Sequence, residues 1–237
     1  MTLNQQLMEL YASKLKDLPN LFSELNSSFD KRDHNFSWPL LIRIWEEEYL
    51  SAPVKVMFFG QEATGWNNQT NNKIEENDEE SLTEEYLIHN MGRDKMSSAF
   101  IRTMHSLNIR LGNPDTNCFV YNNILKFAKE DGHGYPSDKV MDAEMRYLNV
   151  IQDEVDILKP EVCVFLTGVN YDSDIEKKFN GVELLPVPGF EKNWLAQIKH
   201  PHLPQKSFRT YHPGRIMNSE DRIIYDKVLD KIIELSK

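Results

Sequence analysis

Hydrophobic residues recur three and four positions apart in several stretches of the chain, the spacing that places them on one face of an α-helix. The clearest case predicts a single amphipathic helix over residues 138–158, which Pro160 ends. A further helix is predicted where Ser81 and Glu84 form a capping-box pattern. The remaining predicted helices cover residues 7–18, 38–49, 100–111 and a C-terminal stretch that begins near Asn218 or Ser219.

Short apolar runs bounded by turn residues lie between these helices and predict β-strands. The predicted strands cover residues 54–59, 116–121, 162–166, 182–187 and 208–211. Strands that alternate with helices favour a mostly parallel sheet with helices on both faces. We therefore predict an α/β fold of three layers around a central sheet of four or five strands. No linker or repeat divides the chain, so residues 1–237 are expected to form one domain, with a helical segment over about residues 1–50.

The composition, with 40% hydrophobic and 27% charged residues, is that of a soluble globular protein. No apolar run approaches the roughly 18 residues that cross a bilayer, and the N-terminus lacks the apolar region of a secretory signal. We therefore expect a cytoplasmic protein. Cys118 and Cys163 lie in apolar runs and are expected to be reduced core thiols. Two cysteines alone cannot hold a four-cysteine zinc site or an iron–sulfur cluster, and no cofactor or metal is predicted.

The net charge of −10, taken as an average, argues against a nucleic-acid partner, because phosphate contacts need Lys and Arg. The charge is unevenly distributed, however, with seven acids between Glu75 and Glu85 and none in residues 192–217. The cations of this acid-free segment are Lys192, Lys199, Lys206, Arg209 and Arg215. The segment is either an anion-facing surface or a solvated face whose charges pair elsewhere.

Polar residues follow the ends of four predicted strands. In a parallel α/β sheet these ends meet at one edge, and ligands bind there. The four segments are residues 60–66, 121–123, 167–170 and 211–215. Together they bring a carboxylate, two amides and a histidine to one place. The sequence contains neither a glycine-rich phosphate-binding motif nor the GxSxG elbow of serine hydrolases.

Such a set of groups suits the cleavage of an N-glycosidic bond, in which positive charge builds on the sugar and negative charge on the departing base. A carboxylate can position water and face the cationic sugar, and a donor aimed at the base oxygen stabilises the leaving anion. An amide, which donates and accepts, can distinguish one base edge from another. Glu62, His212 and Asn122 match these three needs in that order.

With these motifs in this order, the chain resembles the uracil-DNA glycosylase superfamily over about residues 54–230. Family members carry a motif of the form GQDPYH, GEAPG or GMNPG after the first strand, and residues 60–65 read GQEATG here. Members carry an Asn at the end of the second strand, and residues 118–122 (CFVYN) are similar to the single-strand-selective branch. Members carry HPS near the C-terminus, where residues 212–214 read HPG.

The resemblance implies a uracil-DNA glycosylase-like fold and a monofunctional, cofactor-free hydrolase. Such an enzyme removes uracil or a related damaged base, flipped out of DNA, in base excision repair. Glu62 would activate or orient water, although the first motif can also be aligned so that a neighbouring position takes this role. Asn122 would bind the base edge, with the adjacent Asn123 as an alternative, and His212 would stabilise the departing base.

Further roles follow from the same resemblance. Backbone N–H groups near Gln61 would contact the base, and Trp66, or otherwise Tyr86, would stack on it. Residues 214–217 would form a wedge inserted into the duplex. The predicted DNA-contacting residues are Gly214, Arg215, Ile216, Lys206 and Arg209. The expected partner is base-damaged DNA, single- or double-stranded, bound by a monomer without metal.

Three features depart from the family pattern. Gly214 replaces a Ser that helps to bind a phosphate in the family, and Thr64 stands where the best-known branch has a thymine-excluding Tyr. The acidic loop over residues 74–85 has no counterpart, and the cysteine count excludes the iron–sulfur branch.

Two other functions stay open beside the glycosylase: a catalytically weakened nucleobase- or nucleic-acid-binding protein of the same fold, and an α/β enzyme that acts on free nucleotides or nucleosides. The spacing of His200 and His202 suits a metal, but no clear third ligand accompanies them.

Overall fold

The apolar runs of the sequence pair into a six-stranded sheet in a computed structural model that describes residues 1–28, 30, 36–62, 79–129, 134–216 and 218–237. The strands are β1 (Val56–Glu62), β2 (Phe119–Leu125), β3 (Val162–Phe165), β4 (Glu183–Pro186), β5 (Leu195–Lys199) and β6 (Lys206–Thr210). They lie in the order β2-β1-β3-β6-β5-β4. The strands β2, β1, β3 and β6 are parallel to one another, whereas β5 runs antiparallel to both β6 and β4.

Helices lie around this sheet, an arrangement consistent with three layers. They are α1 (Leu3–Leu15), α2 (Leu18–Asn26), α3 (Glu46–Ser51), α4 (Glu79–His89), α5 (Ala99–Arg110), α6 (Asp138–Tyr147), α7 (Ile151–Leu158), α8 (Asp172–Lys178) and α9 (Ser219–Ser236). The predicted α/β class and mostly parallel sheet are confirmed, although the sheet has six strands rather than four or five. None of the helices in the described ranges combines the length and the apolar character that crossing a membrane requires.

Two helices differ from their predicted extents. The stretch before α3 is not helical, and Leu40, Leu41 and Ile42 are all fully buried. Three consecutive buried side chains do not fit the single buried stripe of a surface helix. The predicted helix over 138–158 is two helices, α6 and α7, because the backbone leaves helical geometry at Leu148 (φ −138°).

The second strand begins three residues later than predicted and ends four residues later. Asn122 and Asn123 therefore lie inside β2 rather than after it. Strand β5 is absent from the predicted set, because its five residues mix polar and apolar positions and give no apolar run. Cys118 and Cys163 are both free and buried, as expected for core thiols.

A buried ion pair joins β2 to helix α7. The Lys126 ammonium donates to Glu154 Oε1 at 2.7 Å, and both side chains are fully buried. The Lys126 ammonium also donates to the Asn122 amide oxygen, and the Asn122 amide nitrogen donates to Glu154 Oε2. The Tyr11 hydroxyl, from α1, donates to the same carboxylate at 2.7 Å. Burial lowers the pKa of Lys126, and the adjacent Glu154 carboxylate opposes that shift.

We expect Lys126→Met to destabilise the protein by about 3–5 kcal/mol, because it leaves the Glu154 carboxylate buried without its cation. Chemical denaturation measures the free energy of unfolding. The matched control is Arg110→Met, which removes one partner of an exposed ion pair with Asp230 and should cost less than about 1 kcal/mol. Equal losses in the two variants would contradict this prediction.

Candidate functional site

A pocket of about 330 Å³ opens at the carboxyl ends of β1 and β2. It lies next to β1, which has β2 on one side and β3 on the other. The strand order therefore changes direction at β1, which makes this position a topological switch point of the sheet. Ligands of open α/β sheets bind at such a point. The pocket is lined by Gly60, Gln61, Glu62, His89, Lys95, Ser98, Phe100, Ile101, Tyr121, Asn123 and His212. Its volume is near the lower end of the range for small-molecule sites, roughly 300–1,000 Å³.

The two asparagines of β2 face opposite sides of the sheet, because neighbouring side chains of a strand alternate. Asn122 is fully buried in the ion network with Lys126 and Glu154 and does not line the pocket. Asn123 lines the pocket with an exposure of 1%, and its amide oxygen and nitrogen have no hydrogen bond of good geometry with the residues that the structure describes. A contact between this amide and the Tyr121 hydroxyl lowers the pKa of Tyr121, against the larger effect of burial, which raises it. This placement corrects the expectation for Asn122, since the amide in the pocket is that of Asn123.

Gly60 leaves room for the Asn123 amide. The two residues pair in the parallel register of β1 and β2, so they share a face of the sheet. A Cβ atom at Gly60 would stand 2.3 Å from Asn123 Oδ1 and 3.0 Å from the ring of Phe100. A side chain at position 60 would therefore displace the amide from the pocket.

His212 lies against Phe100, with ring centroids 5.2 Å apart and planes 8° from parallel. Burial lowers the pKa of His212 to about 4, so the imidazole is neutral near pH 7. Its Nδ1 accepts a hydrogen bond from the Gly214 N–H at 3.2 Å. A neutral ring that accepts at Nδ1 carries its proton on Nε2, so His212 is a hydrogen-bond donor through Nε2.

Glu62 and Gln61 reach the pocket from the last residues of β1. A hydrogen bond from the Tyr171 hydroxyl to Oε2 holds the Glu62 carboxylate. The side chain of Gln61 donates to the Thr167 carbonyl, beyond β3, at 2.7 Å. The predicted carboxylate and histidine thus lie in one pocket, with an amide beside them.

One wall of the pocket is formed by His89, Lys95 and Ser98, none of which is among the site residues predicted from the sequence. Asn90 and Met91 lie between His89 and Lys95 in the chain. They have positive φ values of 47° and 54°, which is uncommon for residues other than glycine. The Met91 carbonyl lies 3.2 Å from Nε2 of the buried His105. The only sequence signal for this turn is Asn90 followed two residues later by Gly92, since both residue types tolerate left-handed backbone. Burial, and then the nearby charge of Lys95, lower the pKa of His89 to about 4.

Three other predicted site residues do not reach the pocket. Tyr86 is buried, and its hydroxyl bonds both the N–H and the carbonyl of Tyr121 at 2.8 Å, so it is a core residue. Arg209 is fully buried and paired with Asp172. Lys206 begins β6, at the opposite end of the sheet, and donates to the carbonyl of Ser236 at 2.8 Å.

The remaining predictions divide between the pocket rim and residues that are not described. Trp66 and Thr64 lie outside the described residues. Gly214 and Arg215 are exposed in a short 3-10 turn directly after His212, and Ile216 packs partly against the core. These three residues follow the pocket residue His212 along the chain, and none of them is part of the pocket lining.

The acid-free segment does not form one anion-facing surface. Its strands β5 and β6 run antiparallel, so Lys199 and Lys206 lie at the end of the sheet away from the pocket. Two of its side chains pair with acids from elsewhere: Arg209 with Asp172, and His202 with Asp156 at 2.7 Å. Among the described residues, no group of three or more His, Cys, Asp or Glu side chains could hold a metal ion.

No protein-family model matches the chain, and no curated protein sequence matches it.

The two pocket histidines predict a pH dependence of stability. Their folded-state pKa values are about 4, below the ordinary 6.5, so between these values the unfolded chain binds protons that the folded chain does not. Stability therefore falls as the pH drops from 6.5 towards 4, by at most about 1.4 kcal/mol per pH unit for each histidine. The free energy of unfolding is measured against pH over this range for the wild type and for His212→Gln. It should fall less steeply with decreasing pH in the variant. Equal slopes, or an NMR titration midpoint of His212 near 6.5, would contradict this prediction.

Proposed function

We propose that this protein is a DNA glycosylase of the uracil-DNA glycosylase type, in fold and in activity. It hydrolyses the N-glycosidic bond of uracil or a related damaged base that is flipped out of DNA. The observation that carries the proposal is the buried amide of Asn123, which lines the same pocket as the neutral His212 and the carboxylate of Glu62.

The Asn123 amide supports recognition of a base edge. Leaving buried donors and acceptors unsatisfied costs about 1–3 kcal/mol each, and a ligand that pairs with them recovers this free energy. The amide oxygen accepts and the amide nitrogen donates, so the complementary partner presents an N–H beside a carbonyl, as the imide edge of uracil does. An edge that lacks either the donor or the acceptor would leave part of the amide unpaired, which gives discrimination.

His212 supports the departure of the base. When the bond between C1′ and the base nitrogen breaks, its electron pair goes to the base, whose carbonyl oxygen gains negative charge. The Nε2–H of a neutral imidazole can donate to that oxygen. A donor fixed in a partly buried site stabilises the developing charge without having to reorganise.

Glu62 supports the attack of water. Its carboxylate lines the pocket beside the place where the sugar would lie. It can face the positive charge on the sugar and take a proton from the water whose oxygen bonds to C1′. The reaction consumes one water molecule and yields the free base and an abasic site. In this proposal no metal or cofactor takes part.

In this proposal the partner is base-damaged DNA in base excision repair, bound by a monomeric, cytoplasmic enzyme. Gly214, Arg215 and Ile216 follow His212 at the rim and are the residues that would meet the DNA strand. Lys206 and Arg209 take no part, because both are engaged within the protein.

We expect the protein to release uracil from a uracil-containing oligonucleotide, detected as strand cleavage after hot alkali. His212→Ala and Asn123→Ala should each lower the rate about a hundredfold or more, the usual effect of removing one catalytic donor. The control is His202→Ala, at an exposed histidine away from the pocket that pairs with Asp156, and it should keep the wild-type rate. No cleavage of U, U·G, hypoxanthine or xanthine substrates by the wild type would contradict the proposal.

A second candidate function is a nucleobase- or nucleic-acid-binding protein of the same fold with weakened catalysis. The net charge of −10 and the engagement of Lys206 and Arg209 inside the protein favour it. Tight binding of uracil-containing or abasic DNA without release of a base would support this candidate over the glycosylase.

A further inference from the structure

Tyr171 contacts the proposed catalytic carboxylate from outside the pocket. It ends a 3-10 turn, Val169–Tyr171, that follows β3, and its hydroxyl donates to Glu62 Oε2. The turn is held close to β6, since the N–H of Gly168 donates to the Thr210 carbonyl at 2.9 Å. Tyr171 is only 8% exposed, and its ring packs against that of Tyr135 with centroids 5.6 Å apart.

The Tyr171 hydroxyl keeps its proton near pH 7. Burial, and then the hydrogen bond to Glu62, raise the pKa of Tyr171 well above its ordinary value. The hydroxyl is therefore a permanent donor, fixed by the turn on one side and by ring packing on the other. A donor held in this way restricts the rotation of the carboxylate that it contacts.

We propose that Tyr171 is a positioning residue that orients the Glu62 carboxylate for the attacking water. The inference rests on the proposed glycosylase function, and Tyr171 itself touches neither base nor sugar, since it does not line the pocket. Glu62 is the last residue of β1. The hydrogen bond from Tyr171 ties this strand end to the turn after β3.

Orientation of this kind affects the rate rather than the binding of substrate. A misplacement of about 1 Å in a reacting group can lower a rate about a hundredfold. The base is bound by Asn123 and His212 on other elements, so losing the Tyr171 hydroxyl should leave substrate affinity nearly unchanged.

The test is the variant Tyr171→Phe, which removes the hydroxyl and keeps the ring that packs on Tyr135. We expect kcat on uracil-containing DNA to fall about 10- to 100-fold, with KM within about twofold of the wild type. The matched control is Tyr135→Phe, which removes a neighbouring hydroxyl that donates to Asp174 instead, and it should keep the wild-type rate. Thermal unfolding of each variant shows whether the fold is retained.

A double-mutant cycle separates positioning from a general structural effect. If Tyr171 acts through Glu62, adding Tyr171→Phe to Glu62→Gln should not lower the single-turnover rate further. An unchanged kcat in Tyr171→Phe, a change in KM alone, or an equal loss in the Glu62→Gln background would overturn the inference while leaving the glycosylase function intact. A wild-type protein that releases no base from any of the four substrates would overturn both.

Discussion

The alternation of side chains along β2 is the constraint on which both the core and the pocket depend. Asn122 completes the buried network on one face of the sheet, and Asn123 points into the pocket on the other. The register that pairs Asn123 with Gly60 leaves space for its amide, which a side chain at position 60 would fill. A slip of β2 by one residue would exchange the faces on which Asn122 and Asn123 lie and would leave the Lys126–Glu154 ion pair without the Asn122 amide. Because an incompletely paired buried charge is costly, the ion pair fixes the register and with it the geometry of the pocket.

The buried network also explains how the N-terminal segment contributes to the site. Tyr11 of α1 donates to Glu154 and accepts from the N–H of Ile42, in the extended stretch before α3. These contacts connect the first helix and that stretch to the same carboxylate that holds Asn122. Each member is satisfied by another, which is the condition for a buried polar network to stabilise one arrangement. The strand that carries Asn123 is therefore held from the side opposite the pocket.

The sequence predicts the groups that meet in the pocket better than it predicts their surroundings. Glu62 and His212 follow from one rule, that polar residues after parallel strands share an edge of the sheet. The choice of Asn122 was wrong for the pocket, because the apolar run gives no signal for where β2 ends and alternation makes a one-residue difference decisive. The wall around His89 depends on a left-handed turn held by tertiary contacts, and the ion pair of the buried Arg209 depends on an acid 37 residues away.

Apart from the Glu62 carboxylate and Lys95, the polar side chains of the pocket are neutral donors and acceptors, so what it binds depends largely on geometry. Burial keeps His212 and His89 uncharged near pH 7, and Lys95 is the one cation in the described lining of the pocket. Neutral hydrogen bonds are weaker than charge-assisted ones, and they lose strength steeply as distance and angle depart from the optimum. Rigid support of each donor and acceptor then matters more than the number of cations nearby. The ring stack on His212, the Thr167 contact of Gln61 and the Tyr171 contact of Glu62 each supply such support from a neighbouring element.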